Sequence, residues 1–193
     1  MRAAALGAKV IVTEVNPVKA IEARMDGYDV MTMEKAAPLG DIFVSATGCC
    51  KTITVDHMLT MKDRAILTNA GHFDCEVDMK GLEAAAEEKK ETRKNIMGYK
   101  LSNGKWINVI GEGRLVNIAA ADGHPAEIMD MSFAVQALSA IYIKENHEKL
   151  EKRVIDVSGE IDDLVARRRL AAWGIEIDTL TEEQREYLNS WNV

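Results

Sequence analysis

The sequence predicts an α/β fold built around a parallel sheet. Strand and helix signals alternate through the first 70 residues, and the connections between them are short, which is typical of parallel sheets. Residues 9–14 (KVIVTE), 41–47 (DIFVSAT) and 64–69 (RAILTN) are apolar, strand-like runs that each end on a small or polar residue. The run at 41–47 is unbroken, which suits a parallel strand that is buried on both faces.

Helix signals fill the intervals between these runs. Asn16-Pro17 predicts the start of a helix that ends at Gly27, and residues 33–38 and 54–61 predict two further helices. A short additional strand is expected at 28–31. We expect the strands at 9–14, 41–47 and 64–69 to be parallel neighbours, with Glu14, Thr47 and His72 at one edge of the sheet.

The pattern changes beyond Asp74. Residues 79–91, rich in Ala and charged residues, predict a helix, and residues 96–101 and 106–110 flank the turn Ser102-Asn103-Gly104, which predicts a hairpin. Helices are then expected at 126–147, 159–173 and 181–191. The last should open with a capping box in which Thr181 and Gln184 bond each other's backbone N–H groups.

The first strand indicates a nucleotide cofactor because it ends on a carboxylate. In a dinucleotide-binding fold of the Rossmann type, an acid at this position binds the adenosine ribose of NAD. The phosphate-binding Gly-x-Gly-x-x-Gly turn belongs about 20 residues earlier, yet residues 1–8 (MRAAALGA) predict only the end of a helix, closing at Gly7. We therefore expect residues 1–125 to form a partial Rossmann-type sheet lacking its Gly-rich first βα unit, with that strand position either exposed or filled by another chain. Residues 126–193 should form a C-terminal helical region.

Composition excludes several classes of function. The formal net charge of -7 leaves little to attract a polyanion, so nucleic acid is not an expected partner. Cys49, Cys50 and Cys75 lack zinc-ligand spacing, and adjacent cysteines rarely pair, so we expect no metal and a reducing cytoplasm. No apolar run is expected to be long enough to span a bilayer.

Two groups of residues are candidates for chemistry. The strand ends Glu14, Thr47-Gly48-Cys49 and Asn69-Ala70-Gly71-His72 should meet at one sheet edge, where glycines let a flat ring or a phosphate approach the backbone. The alternative is that these are ordinary strand-to-helix turns. His124, in a Gly-His-Pro turn before a long helix, suits proton transfer, unless it serves only as a helix cap. His57 and His147 lie in charged helical contexts and are not candidates.

Several long motifs resemble one known family. They are VIVTEVNPVKAIEARMDGYDVMTM, DIFVSATG, AILTNAGHFDCEVD, GEGRLVN, DGHPAEIMDMSFAVQAL and LTEEQREYL. In this order and spacing they resemble the C-terminal half of the S-adenosylhomocysteine hydrolases, and the likeness extends along the whole chain. These enzymes hydrolyse S-adenosylhomocysteine reversibly, using tightly bound NAD to oxidise the ribose 3′-hydroxyl of the substrate.

The resemblance implies a role for each matching residue. His72 and His124 are the catalytic candidates, and His72 and Phe73 match the substrate gate. The implied NAD contacts are Glu14, Thr47, Gly48, Cys49, Ala70, Gly71, His72 and Asn117, and the implied substrate contacts are Phe73, His124, Met129 and Phe133. Cys49 stands where many members of the family have Asn.

The resemblance also sets expectations for the isolated chain. The family's substrate domain and its Gly-rich loop do not occur in this sequence, so we expect the chain by itself to be inactive. A homo-oligomer, tetrameric in the family, is the expected assembly. The alternatives are a non-catalytic NAD-binding module and an oligomerisation module related to the enzyme.

Overall fold

A computed structural model describes residues 1–190 of the chain, which form two compact units. The first unit is Met1–Gly123, and the second begins at His124. The first unit contains the sheets and short helices, and the second consists of helices and their connections.

A two-stranded parallel sheet opens the first unit. Helix α1 (Arg2–Ala5) is followed by Gly7 at φ 89°, and strand β1 (Ile11–Val12) pairs with β2 (Asp29–Val30). Helix α2 (Pro17–Met25) connects the two strands. The Asn16 side chain accepts hydrogen bonds from the N–H groups of Val18 and Lys19, which caps α2, and Pro17 is its first residue. The predicted start of this helix is confirmed.

A five-stranded mixed sheet forms the centre of the first unit. Three of its strands are parallel: β3 (Ile42–Ser45), β4 (Ala65–Asn69) and β7 (Trp106–Ile110). Two antiparallel strands, β6 (Ile96–Leu101) and β5 (Ala86–Arg93), extend it beyond β7. Helices α3 (Met33–Ala36), α4 (Val55–Thr60) and α5 (Met79–Ala85) connect the strands, and a 3-10 turn (Gly111–Gly113) and helix α6 (Val116–Ala119) follow β7. The predicted hairpin of β6 and β7 is confirmed.

The predicted single sheet containing all three early strands is wrong. β3 and β4 are parallel neighbours, but β1 pairs with β2 in a separate sheet and not with β3. In doubly wound folds the strand equivalent to β1 and the strand equivalent to β3 lie on either side of the strand that carries the phosphate loop. The apolar pattern identifies each strand but not its neighbour, so it could not show that β1 pairs with β2 and not with β3.

The predicted helix at 79–91 is also wrong in its second half. Helix α5 ends at Ala85, and the next eight residues form β5, whose register on β6 runs from Ala86–Leu101 to Arg93–Ile96. Glu and Lys favour helix in isolation, but here they face solvent on an edge strand. Lys90 lies over the Trp106 ring at 4.2 Å from its centroid, and pairing with β6 overrides the local preference.

Strand β3 is buried on one face only, contrary to expectation. Phe43 and Ser45 are buried, whereas Ile42 and Val44 are more than 60% exposed. An unbroken apolar run indicates that either face of the strand can be buried. It does not show which elements cover each face. No element among the described residues covers the face that carries Ile42 and Val44.

The core of the first unit lies between the middle strands and helices α4 and α5. Leu67 on β4, Ile107 and Val109 on β7, and Tyr99 and Leu101 on β6 are fully buried. They form one apolar cluster with methionines and a leucine from the helical side: Met58, Met61 and Leu82. This cluster fixes the strands whose ends carry the candidate site.

Up to residue 190, the second unit contains three helices: α7 (Ala126–Asn146), α8 (Gly159–Trp173) and α9 (Glu182–Asn189). The Arg169 guanidinium joins α8 to α7 by bonding the Glu127 carbonyl and the Asp130 carboxylate, each at 2.9 Å. The predicted capping box of Thr181 and Gln184 is confirmed. The last residue of the predicted third helix, 191, lies outside the described residues.

Helix α7 corrects the expectation about membrane spans. Its 21 residues are long and apolar enough to cross a bilayer, and none of its apolar residues is buried. Length and composition alone are weak evidence, because helices that pack inside proteins pass the same test.

Leu67→Ala tests the position of the core. Removing this fully buried side chain from β4 should lower the free energy of unfolding by about 2–5 kcal/mol, measured by urea denaturation. Leu39→Ala is the control, because Leu39 is half exposed and its loss should change stability by no more than about 0.5 kcal/mol. Similar costs for both variants would contradict this assignment of the core.

Candidate cofactor site

The carboxyl ends of β3 and β4 lie side by side, as the parallel register requires. Ser45 is paired with Asn69, and the N–H of Ala70 donates to the Ser45 carbonyl at 2.7 Å. The turns Thr47-Gly48 and Ala70-Gly71 therefore leave the sheet next to each other. The end of an open parallel sheet is where ligands bind in this class of fold.

Asn69 connects three segments at this edge through its buried amide. Its Oδ1 accepts hydrogen bonds from the Ser45 hydroxyl at 3.2 Å and the Gly71 N–H at 2.7 Å. Its Nδ2 donates to the carbonyls of Phe73 at 2.7 Å and Gly113 at 2.9 Å. All four bonding positions of one side chain are thus used to hold the ends of β3, β4 and β7 together.

The fully buried carboxylate of Glu76 binds the neighbouring Thr47-Gly48 turn from the protein interior. Its Oε2 accepts from the Thr47 N–H at 2.8 Å and the Thr47 hydroxyl at 2.9 Å, and its Oε1 accepts from the Gly48 N–H at 2.8 Å. The Glu76 backbone carbonyl also accepts from the N–H of Ile53 and the hydroxyl of Thr52. Glu76 therefore links the turn after β3 to the segment that leads into α4.

The environment of Glu76 keeps it ionised. Burial by itself would raise the pKa of this carboxyl, but hydrogen bonds from the backbone N–H groups of Thr47 and Gly48 and from the Thr47 hydroxyl, with the Ser45 hydroxyl nearby, hold its pKa below the ordinary value of 4.5. A buried carboxylate with this many donors is satisfied without a cationic partner.

Gly71 is required by the Glu76 carboxylate. A Cβ built on Gly71 would overlap Oε1 of Glu76 and would also lie 3.0 Å from Oδ1 of Asn69. The backbone of the turn after β4 therefore passes directly over both buried polar groups. This is a steric requirement, because Gly71 does not have the positive φ seen at Gly48.

Glu14 lies beyond β1, outside the five-stranded sheet. Its Oε1 accepts from the N–H groups of Val15 at 2.7 Å and Asn16 at 2.9 Å. These bonds, that of Asn16 first, lower the pKa of the carboxyl, and nearby Lys19 adds to the effect. The side chain is exposed and ionised, so Oε2 is available to accept from a hydroxyl group.

The candidate gate residues lie on the loop after Gly71. The rings of His72 and Phe73 meet edge to face, with centroids 4.7 Å apart, and Phe73 is 62% exposed. The carbonyl of Phe73 is anchored by Asn69, which fixes the base of the loop.

The cysteines lie beside the turn that Glu76 holds. The Cys49 N–H donates to the Thr47 hydroxyl at 3.1 Å, and the Cys75 carbonyl accepts from the Lys51 N–H at 2.7 Å. All three cysteines are free and exposed. Within residues 1–190, no group of His, Cys, Asp and Glu side chains is arranged to hold a metal ion.

Asn117 is brought to the same edge by the segment after β7. Leu115 forms an isolated parallel bridge with Asn69, and Asn117 follows two residues later in α6. The Asn117 carbonyl accepts from the Gly123 N–H at 2.8 Å, which closes the loop that ends the first unit.

The remaining predicted residues belong to the second unit. His124 is its first residue and is exposed, Met129 is half-buried on α7, and Phe133 is 58% exposed on the same helix. This unit also has an open cavity of about 360 Å³ between α7 and the 150–161 segment, lined by Tyr142, Ile143, Leu150 and Ile155 among others. None of the predicted site residues lines that cavity.

A family model matches the first unit of the chain. Residues 2–123 match the S-adenosyl-L-homocysteine hydrolase NAD-binding domain. The chain belongs to this hydrolase family. Its cofactor domain is one that binds NAD, as the carboxylate after β1 predicted.

Individual hydrolases extend the match to nearly the full length of the chain. It is 58% identical over 191 residues to the S-inosyl-L-homocysteine hydrolase of Methanocaldococcus jannaschii, covering 99% of this chain and 46% of that protein. It is 57% identical to the adenosylhomocysteinase of Aquifex aeolicus, covering 100% of this chain and 46% of the relative. With that of Pyrococcus abyssi the identity is 58%, and the match covers 99% of this chain and 45% of the relative. The chain thus spans just under half the length of these curated relatives.

Sequence reasoning missed the residues that build this edge of the hydrolase domain. Asn69 was considered only as a strand-end residue, and Glu76 and Ser45 were not singled out. The only signal for Glu76 was its place just after the predicted gate, and the nearby carboxylates Asp74 and Asp78 made it hard to distinguish. Its partners could not be found from spacing, because they lie 28 and 29 residues earlier.

Gly71→Ala tests the close approach of the turn to Glu76. The added methyl group would overlap the buried carboxylate, so we expect a loss of about 1–3 kcal/mol in the free energy of unfolding, measured by urea denaturation. Gly159→Ala is a matched control, since nothing lies within 4 Å of a Cβ there, and it should leave stability nearly unchanged. Unaltered stability of Gly71→Ala would show that the turn does not lie over Glu76.

Acid should weaken the contribution of Glu76 to stability. The folded chain depresses the pKa of this carboxyl, so its contribution is complete above the ordinary pKa of the unfolded chain and is lost as pH falls through the lower folded value. Unfolding free energies measured from pH 7 to pH 3 for the wild type and Glu76→Gln should therefore differ most near neutrality and converge in acid. A difference that is independent of pH would refute the assignment.

Proposed function

We propose that this chain supplies the NAD-binding and C-terminal part of an adenosylhomocysteinase, which hydrolyses S-adenosylhomocysteine reversibly to adenosine and homocysteine. One observation carries the proposal: Asn69 and Glu76 join adjacent strand ends into a rigid edge that presents Thr47-Gly48 and Gly71-His72 together. The hydrolase relatives favour this reaction over a different use of NAD.

The individual residues are assigned roles that agree with this geometry. Glu14, ionised and with one oxygen available, binds vicinal ribose hydroxyls of NAD. The other proposed cofactor contacts are Thr47, Gly48, Cys49, Ala70, Gly71, His72 and Asn117, and the proposed substrate contacts are Phe73, His124, Met129 and Phe133. We place the boundary between the cofactor domain and the helical region at residues 125/126.

The residues present fit part of NAD. Glu14 suits the adenosine ribose, and the turns after β3 and β4 lie together at the carboxyl end of the sheet, where ligands bind in this class of fold. The sequence has no Gly-x-Gly-x-x-Gly turn, so the pyrophosphate requires donors from elsewhere. We propose that the partial Rossmann-type sheet lacks its first βα unit and that the free edges of β1 and β3 flank that position.

The chemistry divides between cofactor and protein. When bound, NAD accepts hydride from the substrate ribose, which acidifies the neighbouring carbon. His124 moves a proton at the reacting ribose. His72, packed against Phe73, closes the site and excludes water from it.

The proposed substrate is S-adenosylhomocysteine or a close analogue. The relatives include hydrolases named for the adenosyl substrate and one named for the inosyl substrate. We further propose cytoplasmic localisation. We also propose a homo-oligomer, because Phe133, Ile141 and Ile143 leave a large apolar surface on α7.

Reconstitution tests the proposal. The 193-residue chain alone should bind NAD weakly and not turn over, since several charge-assisted hydrogen bonds to pyrophosphate are missing. Mixed with the part of the Pyrococcus abyssi adenosylhomocysteinase that it does not cover, it should hydrolyse S-adenosylhomocysteine and retain NAD. A mixture that binds NAD but shows no hydrolysis would favour the non-catalytic module instead.

His124→Ala in that reconstituted enzyme tests the proton-transfer role. Loss of an acid-base group should lower kcat by about 10²–10⁴-fold while NAD content is unchanged. His147→Ala is the control, because His147 is an exposed residue at the end of α7 and should have almost no effect on rate. A loss of stability of about 1 kcal/mol without a loss of rate would show that His124 is only a helix cap.

A further inference from the structure

Glu76 also determines which ligand groups the Thr47-Gly48 turn can bind. Its carboxylate accepts the backbone N–H of both residues at 2.8 Å. Both N–H groups therefore point into the protein, and neither is available to a ligand. Backbone N–H groups that point out of a turn can bind phosphate.

The carbonyl groups of the same turn point the opposite way. In a trans peptide the N–H and C=O lie on opposite sides, and none of the described peptide bonds is cis. The N–H of Thr47 shares a peptide unit with the Ala46 carbonyl, and the N–H of Gly48 shares one with the Thr47 carbonyl. Both carbonyls thus face away from Glu76, and within residues 1–190 neither accepts a hydrogen bond from the protein.

We propose that Glu76 is a positioning residue that makes this turn an acceptor-lined subsite for an uncharged hydrogen-bond donor and excludes phosphate from it. Two outward carbonyls above a buried carboxylate repel an anion and attract the N–H of a carboxamide or the O–H of a sugar. NAD carries both donor groups, and to this extent the inference rests on the proposed function. It replaces the expectation that Gly48 admits a phosphate.

The geometry distinguishes this role from simple support of the fold. A merely structural Glu76 would stabilise the turn without affecting which ligands it accepts. A positioning Glu76 sets the direction of two peptide units, so neutralising it lets the Thr47 and Gly48 N–H groups turn toward a ligand. Glu76→Gln should then bind a ligand that carries a negative charge at this turn, whereas the wild type should not.

The experiment compares NAD with nicotinic acid adenine dinucleotide, in which a carboxylate replaces the carboxamide. Affinities are measured by calorimetry on the reconstituted enzyme with wild-type chain, Glu76→Gln, or the exposed control Glu87→Gln. The wild type and control should prefer NAD by at least about tenfold, roughly the effect of one such hydrogen bond, and Glu76→Gln should lose most of that preference. Affinities that fall by the same factor for both dinucleotides in Glu76→Gln would show that the carboxamide is not the donor at this turn, and together with an absence of ribose-induced shifts in the signals of Thr47 and Gly48 they would overturn the proposal.

A second measurement identifies the donor and does not require NAD. Backbone signals of Ala46, Thr47 and Gly48 are followed by NMR in the reconstituted complex during titration with nicotinamide, ribose or inorganic phosphate. Shifts caused by nicotinamide or by ribose support the subsite and show which donor it binds. Shifts caused by phosphate, or by none of the probes, overturn it. Wild-type hydrolase activity, measured on the same samples, shows independently whether the proposed function holds.

Discussion

The structure of the candidate site depends on one buried anion and the donors around it. The Glu76 carboxylate lies beneath two parallel strand ends and is stabilised by backbone and hydroxyl donors of Thr47 and Gly48. A buried charge without such donors would be costly. The turn after β3 therefore depends on Glu76, and Glu76 depends on the donors of that turn. The turn after β4 passes over Glu76, where only glycine fits at position 71.

Asn69 completes this arrangement with a neutral side chain. It joins the end of β4 to Ser45, to the Phe73 loop and to Gly113 after β7. The apolar cluster around Leu67 fixes the strands, and Asn69 and Glu76 fix the turns at the strand ends. In proteins generally, apolar packing supplies most of the stability, while buried polar networks define the geometry of a site.

The candidate site was partly predictable from the sequence. Small and polar residues after apolar strands predicted that Thr47, Gly71 and His72 share one edge, and the structure brings the turns after β3 and β4 together there, whereas Glu14 lies beyond β1, outside the five-stranded sheet. The roles of Asn69 and Glu76 could not be predicted, because both residues act through hydrogen bonds to residues that are distant in the chain. The same limitation explains β5, where Glu and Lys predict helix locally and the unpaired edge of β6 decides otherwise.

The sequence by itself determined the alternation of strands and helices, the caps at Asn16 and Thr181, the hairpin of β6 and β7, and the family. Each of these depends on neighbouring residues or on long contiguous motifs. Tertiary structure alone decided that β1 leaves the main sheet, that only one face of β3 is covered and that Glu76 turns the N–H groups of Thr47 and Gly48 inward. These features depend on contacts between distant segments, and no local pattern of residues encodes such contacts.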